Sequence, residues 1–159
     1  MTGGSDERKA IATNRRARYE YEVLERVEAG LVLLGPEVKS LRAGKASLAD
    51  SFATIRRGEA FLHELHISPY PQASRENPPP KRERKLLLHR SEIARLGGRV
   101  AERGLTLVPL SLYFRDGRVK VELALARGRR RHDKREAIRE RESEREVARA
   151  TRQRGGARR

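Results

Sequence analysis

The sequence predicts a mainly β fold with flanking helices: a small antiparallel barrel of about six strands, followed by a basic tail. Three observations lead there. Apolar residues alternate with polar ones in short runs separated by glycine turns, and two short stretches of helical spacing interrupt those runs. The last part, residues 127–159, holds 14 basic and 6 acidic side chains, with Ile138 and Val147 as its large aliphatics. It offers little surface to bury, so its ordering entropy stands unopposed.

Residues 1–12 are small and polar and are expected to form a disordered head. A body over residues 13–126 follows. Tyr19, Tyr21 and Val23 alternate with Glu20 and Glu22, the period of a half-buried strand, and Glu28-Ala29-Gly30 reads as a turn into a second strand, Leu31 to Leu34. Pro36 suits the first turn of a helix carrying Val38 and Leu41, which Gly44 stops. Ser51 to Arg57 and Ala60 to Ile67 predict a hairpin about Gly58, with Phe61, His63, Leu65 and Ile67 on one face. The prolines at 69, 71, 78, 79 and 80 predict a loop that continues through the basic run Lys81 to Lys85. Ser91 is the expected N-cap of a second helix burying Ile93, Leu96 and Val100, with Gly104 beyond its end. Leu110, Leu112 and Phe114 alternate up to Asp116-Gly117, and Val119 to Leu125 alternate away from it, a strong hairpin signal. Pro109 marks a bulge or an edge.

Composition narrows the chemistry. The formal net charge is +15, and the tail contributes +8 of it, which draws the chain towards polyanions. Nucleic acid is the expected partner and membrane is not, because no strongly apolar helix face or lipid anchor is visible. Without cysteine there is no disulfide framework and no thiolate chemistry.

Residues that invite a catalytic reading do not sustain one. Gly44-Lys45-Ala46-Ser47 resembles part of a phosphate loop, but Ala46 splits the Lys-Ser pair and Lys39 stands where a glycine is required. His63 and His66, three apart on an expected strand, face opposite sides and share no metal, so no metal or cofactor is expected. With aromatics at 4% and no Trp, shape and backbone contacts to a folded RNA are favoured over a row of stacked bases. The tail is expected to be disordered when free and helical when bound: Arg141, Arg145 and Arg149 repel one another at helical spacing until a polyanion lies along them.

Five segments carry a further signal: Ala12 to Arg18, Glu28-Ala29-Gly30, Glu37 to Lys45, Arg84 to Leu88, and Gly128 through Arg135. In order and spacing they resemble the small protein B family, over nearly everything from Ala12 to Arg149. The resemblance implies an oligonucleotide-binding-type (OB-like) barrel and an adaptor without catalytic activity. Such an adaptor binds the tRNA-like part of transfer-messenger RNA, favours its alanylation, and reaches stalled ribosomes with elongation factor Tu and GTP. It further implies a cytoplasmic monomer. By motif, Asn14, Arg15, Arg18, Glu28, Lys39, Arg42, Lys45 and Leu87 would form the RNA-binding surface. Gly128, Arg129, Arg130, His132, Asp133, Lys134 and Arg135 would enter the ribosomal decoding region. A general ribosomal or single-stranded RNA-binding protein of the same fold is the alternative.

Overall fold

A computed structural model describes residues 8–73, 76–102 and 104–129, together with Glu142 and Arg145. The elements in chain order are β1 (Lys9–Thr13), α1 (Ala17–Glu20), β2 (Tyr21–Leu31), α2 (Gly35–Arg42), β3 (Ala46–Ser47), β4 (Phe52–Arg56), β5 (Glu59–His63), β6 (His66–Ile67), β7 (Arg84–Leu87), α3 (Arg90–Val100), β8 (Leu105–Arg115) and β9 (Arg118–Gly128). Strands β8, β4, β5, β7, β2 and β9 are neighbours in that order, and β9 pairs back onto β8, closing an antiparallel ring. The fold class is as expected, a barrel with helices at its flanks. Strand β1 adds along the second half of β8, pairing with Ser111 to Phe114, while β4 meets the first half at Leu107.

The turns form where the sequence places them. Asp116 and Gly117 both have positive φ (51° and 75°), and so do Arg57 and Gly58 (53° and 75°), the backbone signature of two-residue turns whose twist matches their strands. Helix α2 carries Pro36 in its first turn and ends on Gly44 at φ 72°. There the Gly44 and Lys45 N–H groups donate to the Leu41 and Ser40 carbonyls at 2.9 and 3.0 Å, a Schellman closure. The barrel interior is filled by Leu62, Leu65, Leu96, Leu112, Val121, Leu123 and Leu125, all fully buried, each worth about 1.5–3 kcal/mol of transfer free energy.

Pro109 does mark a bulge: the β8–β9 register slips between Pro109 and Ser111, leaving Leu110 as the extra residue. The slip changes which face each side chain takes. Leu107 and Leu112 point inward, whereas Val108 and Leu110 belong to a small outer cluster with Ala124, Ala126, Tyr21 and Val23.

Several expectations are corrected. The head is not wholly unstructured, because β1 begins at Lys9 and packs Ile11 and Ala12 against the core. Tyr19 lies in α1, a single turn whose first N–H, from Ala17, donates to Asn14 Oδ1, and the strand starts only at Tyr21. Glu28-Ala29-Gly30 is not a turn but the continuation of β2, which ends at Leu31. Gly30 serves close approach instead, since a Cβ there would sit 3.2 Å from the Leu87 Cβ. Ala60 and Leu62, not Phe61 and His63, face inward on β5; Glu64 at φ 61° breaks the run before buried Leu65 and Ile67. Helix α3 is capped at His89, whose N–H donates to Glu92 Oε1 at 2.9 Å, ahead of Ser91. Finally, the expected basic loop ends inside the sheet, with Arg84 on β7 only 1% exposed. The tail beyond Arg129 lies outside the described residues apart from Glu142 and Arg145, and so does its expected disorder-to-helix change.

Candidate nucleic-acid interface

Glu28 stands on the outer face of β2, directly opposite Glu122 on β9. Two like charges in register repel, and the surrounding side chains answer that repulsion. Arg8 and Arg26 donate to the two Glu122 oxygens at 2.8 and 3.2 Å. Glu28 is reached from β8, across β9: the Tyr113 hydroxyl and Arg115 Nη1 both donate to its Oε2, at 2.5 and 2.7 Å. Burial pushes the Glu28 carboxyl up, but the Tyr113 hydrogen bond, the Arg115 charge and hydrogen bond, and the Lys120 charge outweigh it and hold it below the usual carboxylate range. Burial, together with the same contact, pushes the Tyr113 phenol up, so its proton stays on the oxygen. The Arg8 guanidinium covers the Tyr113 ring at 4.6 Å. Glu28 remains an ionised acceptor with its side chain 28% exposed, a group that accepts an N–H or O–H from a base or ribose and repels phosphate.

Leu87 faces outward one strand away. It pairs with Gly30 and is 53% exposed, and Val32 and Leu34, shortly after Gly30 in the chain, are exposed as well. The result is an apolar surface next to the Glu28 carboxylate.

Helix α2 presents Lys39, Arg42 and, just past its end, Lys45, all exposed. Its other side is fixed to the long loop. Glu37 is buried, receives the Leu34 N–H at 2.9 Å, and pairs with Arg82 and Arg84, each at 2.6 Å. Arg84 completes its shell by donating to the Leu65 and Pro80 carbonyls. Burial raises the Glu37 pKa, and the bonds from Arg82, Leu34 and Arg84 more than reverse this, leaving it depressed. Within the loop, the Asn77 amide closes a two-bond ring on the Tyr70 backbone, and Lys39 lies over the Tyr70 ring at 5.4 Å.

Asn14 is committed internally. Its Nδ2 donates to the Pro109 carbonyl at 2.9 Å, its N–H to Leu110 at 2.8 Å, and its Oδ1 accepts the Ala17 N–H at 3.3 Å. It therefore ties α1 to the β8 bulge. Arg18 is exposed and lines a 260 Å³ cavity at that bulge together with Thr13, Arg26, Ser111 and Glu122. Arg15 borders a separate 440 Å³ groove between β1 and residues 46–49. The strand register brings Glu28 and Leu87 onto one face, whereas Arg15, Arg18 and the α2 cations lie on other elements.

Of the tail residues, Gly128 ends β9, and Arg129 turns back on the junction of α1 and β2: its N–H donates to the Glu20 carbonyl at 2.8 Å and its Nε to the Tyr21 carbonyl at 3.2 Å. Arg130, His132, Asp133, Lys134 and Arg135 lie outside the described residues. The sequence reading missed Tyr113, Arg115, Arg8 and the Glu37–Arg84 pair. All are joined to their partners over long sequence separations, and no local spacing signals them. Among the described residues no cluster of metal-ligating side chains forms, and no helix is long and apolar enough to cross a membrane.

Comparisons with known proteins identify relatives of the chain. A protein from Desulforudis audaxviator, called SsrA-binding protein, is 61% identical over 144 residues, covering 91% of this chain and 94% of its own. One of the same name from Acidothermus cellulolyticus is 60% identical, covering 90% of each. A solved chain, from a structure described as "tmRNA-SmpB: a journey to the center of the bacterial ribosome", is 54% identical with a TM-score of 0.65, covering 80% of this chain and 93% of that one. A family model described as SmpB protein matches residues 11–153, and the chain belongs to that family.

Proposed function

We propose that this protein is a non-catalytic, cytoplasmic RNA-binding adaptor of ribosome rescue. It binds the tRNA-like domain of transfer-messenger RNA, promotes its alanylation, and accompanies it with elongation factor Tu and GTP to ribosomes stalled on broken messages. The observation that carries this reading is the near full-length likeness, at about 60% identity, to proteins named for binding SsrA. Glu28 and Leu87 on neighbouring strands, together with the exposed cations of α2, support it, because they supply an ionised acceptor, an apolar contact and phosphate-attracting charge.

On this reading the body grips the folded RNA through Glu28, Leu87, Arg15, Arg18, Lys39, Arg42 and Lys45, and Asn14 holds the α1 end of that surface. The segment from Gly128 to Arg135 enters the decoding region in place of a codon and anticodon, and His132 stacks on a base. Monomeric protein suffices.

The test is competition binding. The protein should keep its preference for the tRNA-like domain over unrelated RNA of equal length as salt rises from 50 to 200 mM, although six to ten phosphate contacts weaken both by about 10³ to 10⁵. Equal affinity for both RNAs at 200 mM would instead establish a general RNA-binding protein.

A further inference from the structure

We propose that Tyr113 is a positioning residue for RNA recognition, aiming the Glu28 carboxylate at a hydrogen-bond donor of the RNA. The inference rests on the reading that Glu28 contacts RNA and adds the device that makes the contact selective.

A glutamate on a strand has three rotatable bonds, and an exposed one samples many rotamers. Glu28 is restrained. Tyr113 reaches it from β8, two strands away, and its hydroxyl and Arg115 Nη1 converge on the same oxygen, Oε2. A carboxylate has about four lone-pair sites, so two donors on one oxygen leave room for an incoming donor. Tyr113 does this without adding charge. A second cation in its place would further attract phosphate to the site, whereas a neutral phenol fixes direction without adding to the positive charge that Arg115 already brings.

Tyr113 is itself immobilised. It is 2% exposed, its ring lies under the Arg8 guanidinium at 4.6 Å, and its position on β8 is set by pairing with Lys120 on one side and Ala10 on the other. Strand β1 therefore has a part in the site, because it brings Arg8 over the ring. The elevated phenol pKa keeps the proton on oxygen throughout the working pH range, so Tyr113 always donates. The donor Glu28 would receive is a base amino or imino group, or a ribose hydroxyl, presented by an unpaired or minor-groove edge.

The experiment compares full-length wild type, Tyr113→Phe and Glu28→Gln, each with a thermal unfolding curve as a folding control. Two readouts are taken: the Glu28 side-chain pKa in the free protein by carbon-13 NMR, and affinity for the tRNA-like domain of transfer-messenger RNA. Tyr113→Phe should raise the Glu28 pKa and weaken RNA binding about fivefold while the fold is kept, and Glu28→Gln should weaken binding roughly tenfold. The acid limb of the binding profile should move to higher pH in Tyr113→Phe, as the carboxylate it relies on protonates sooner.

An unchanged Glu28 pKa in Tyr113→Phe, or normal affinity alongside weakened Glu28→Gln, overturns the positioning role and leaves the RNA-contact reading in place. Normal affinity in Glu28→Gln overturns that reading itself. Affinity lost in Tyr113→Phe only in proportion to lost folding, with no shift of the acid limb, assigns Tyr113 to the core and ends the proposal.

Discussion

Glu37 and Arg84 form an ion pair at 2.6 Å with both side chains shielded from solvent, joining the first turn of α2 to β7. Desolvating two charges costs several kcal/mol, and here the cost is offset because every participant is saturated: Arg82 and the Leu34 N–H complete Glu37, and the Leu65 and Pro80 carbonyls complete Arg84. Removing one charge strands the other. Glu37→Gln should destabilise the protein by about 3 kcal/mol or more, while Arg82→Ala, at the exposed end of the network, should cost about 1–2 kcal/mol. Denaturant unfolding of the two variants checks the order, and equal costs would refute it.

The same pair sets an acid sensitivity. The Glu37 pKa is lower in the folded protein than in the unfolded chain. Its contribution to stability is therefore complete above the ordinary glutamate value of about 4.3 and is lost as pH falls through the folded value. Wild type should lose stability over that acid interval more steeply than Glu37→Gln, whose residue 37 does not titrate. Unfolding midpoints measured from pH 7 down to pH 3 read this directly; parallel curves would show that Glu37 is not the group responsible.

The Glu37–Arg84 pair and the Glu28–Tyr113 contact show what the sequence could and could not carry. Asp116-Gly117, Gly58, Pro36 and Gly44 are legible because a positive φ or a missing N–H is a property of the residue itself. Pro109 correctly marks a bulge, yet the alternation of Leu110, Leu112 and Phe114 misleads, since the extra residue puts Leu110 on the other face. Arg84 was placed in an exposed loop because charge runs are normally solvated; its partner is 47 residues away. Glu28 was singled out by family resemblance, but Tyr113, 85 residues further on, has no local mark of its role. Local backbone preferences can be read along the chain, whereas saturation of a buried or half-buried charge depends on which strands become neighbours.

Gly30 and Leu87 give a separate prediction. A Cβ at position 30 would press on the Leu87 Cβ at 3.2 Å, and because that atom is fixed by its own backbone, no rotamer change of Leu87 relieves the contact. Gly30→Val should destabilise the protein by about 1–3 kcal/mol, because β2 and β7 must separate to admit the side chain and strand propensity offsets only part of the cost. RNA affinity should fall as well, as Leu87 is displaced from its place on the face it shares with Glu28, and Leu87→Ala should weaken binding similarly with an unchanged unfolding midpoint. Full affinity in Leu87→Ala would remove the apolar surface from the interface.

The body and the tail are expected to act at different steps. Arg129 is tied by the Glu20 and Tyr21 carbonyls to the junction of α1 and β2, whereas Glu28 and Leu87 stand on the faces of β2 and β7. Changing Asp133, Lys134 and Arg135 together to Ala removes two cations and one anion from a chain of net charge +15, too little to abolish a polyelectrolyte attraction that the body also supplies. The triple variant should bind the tRNA-like domain within about threefold of wild type. It should fail to support peptide tagging on stalled ribosomes, because the segment proposed to occupy the decoding region has lost its specific contacts. Reconstituted translation on a message without a stop codon, read alongside a binding isotherm, separates the two steps; a parallel loss of binding and tagging would place these residues in the RNA grip instead.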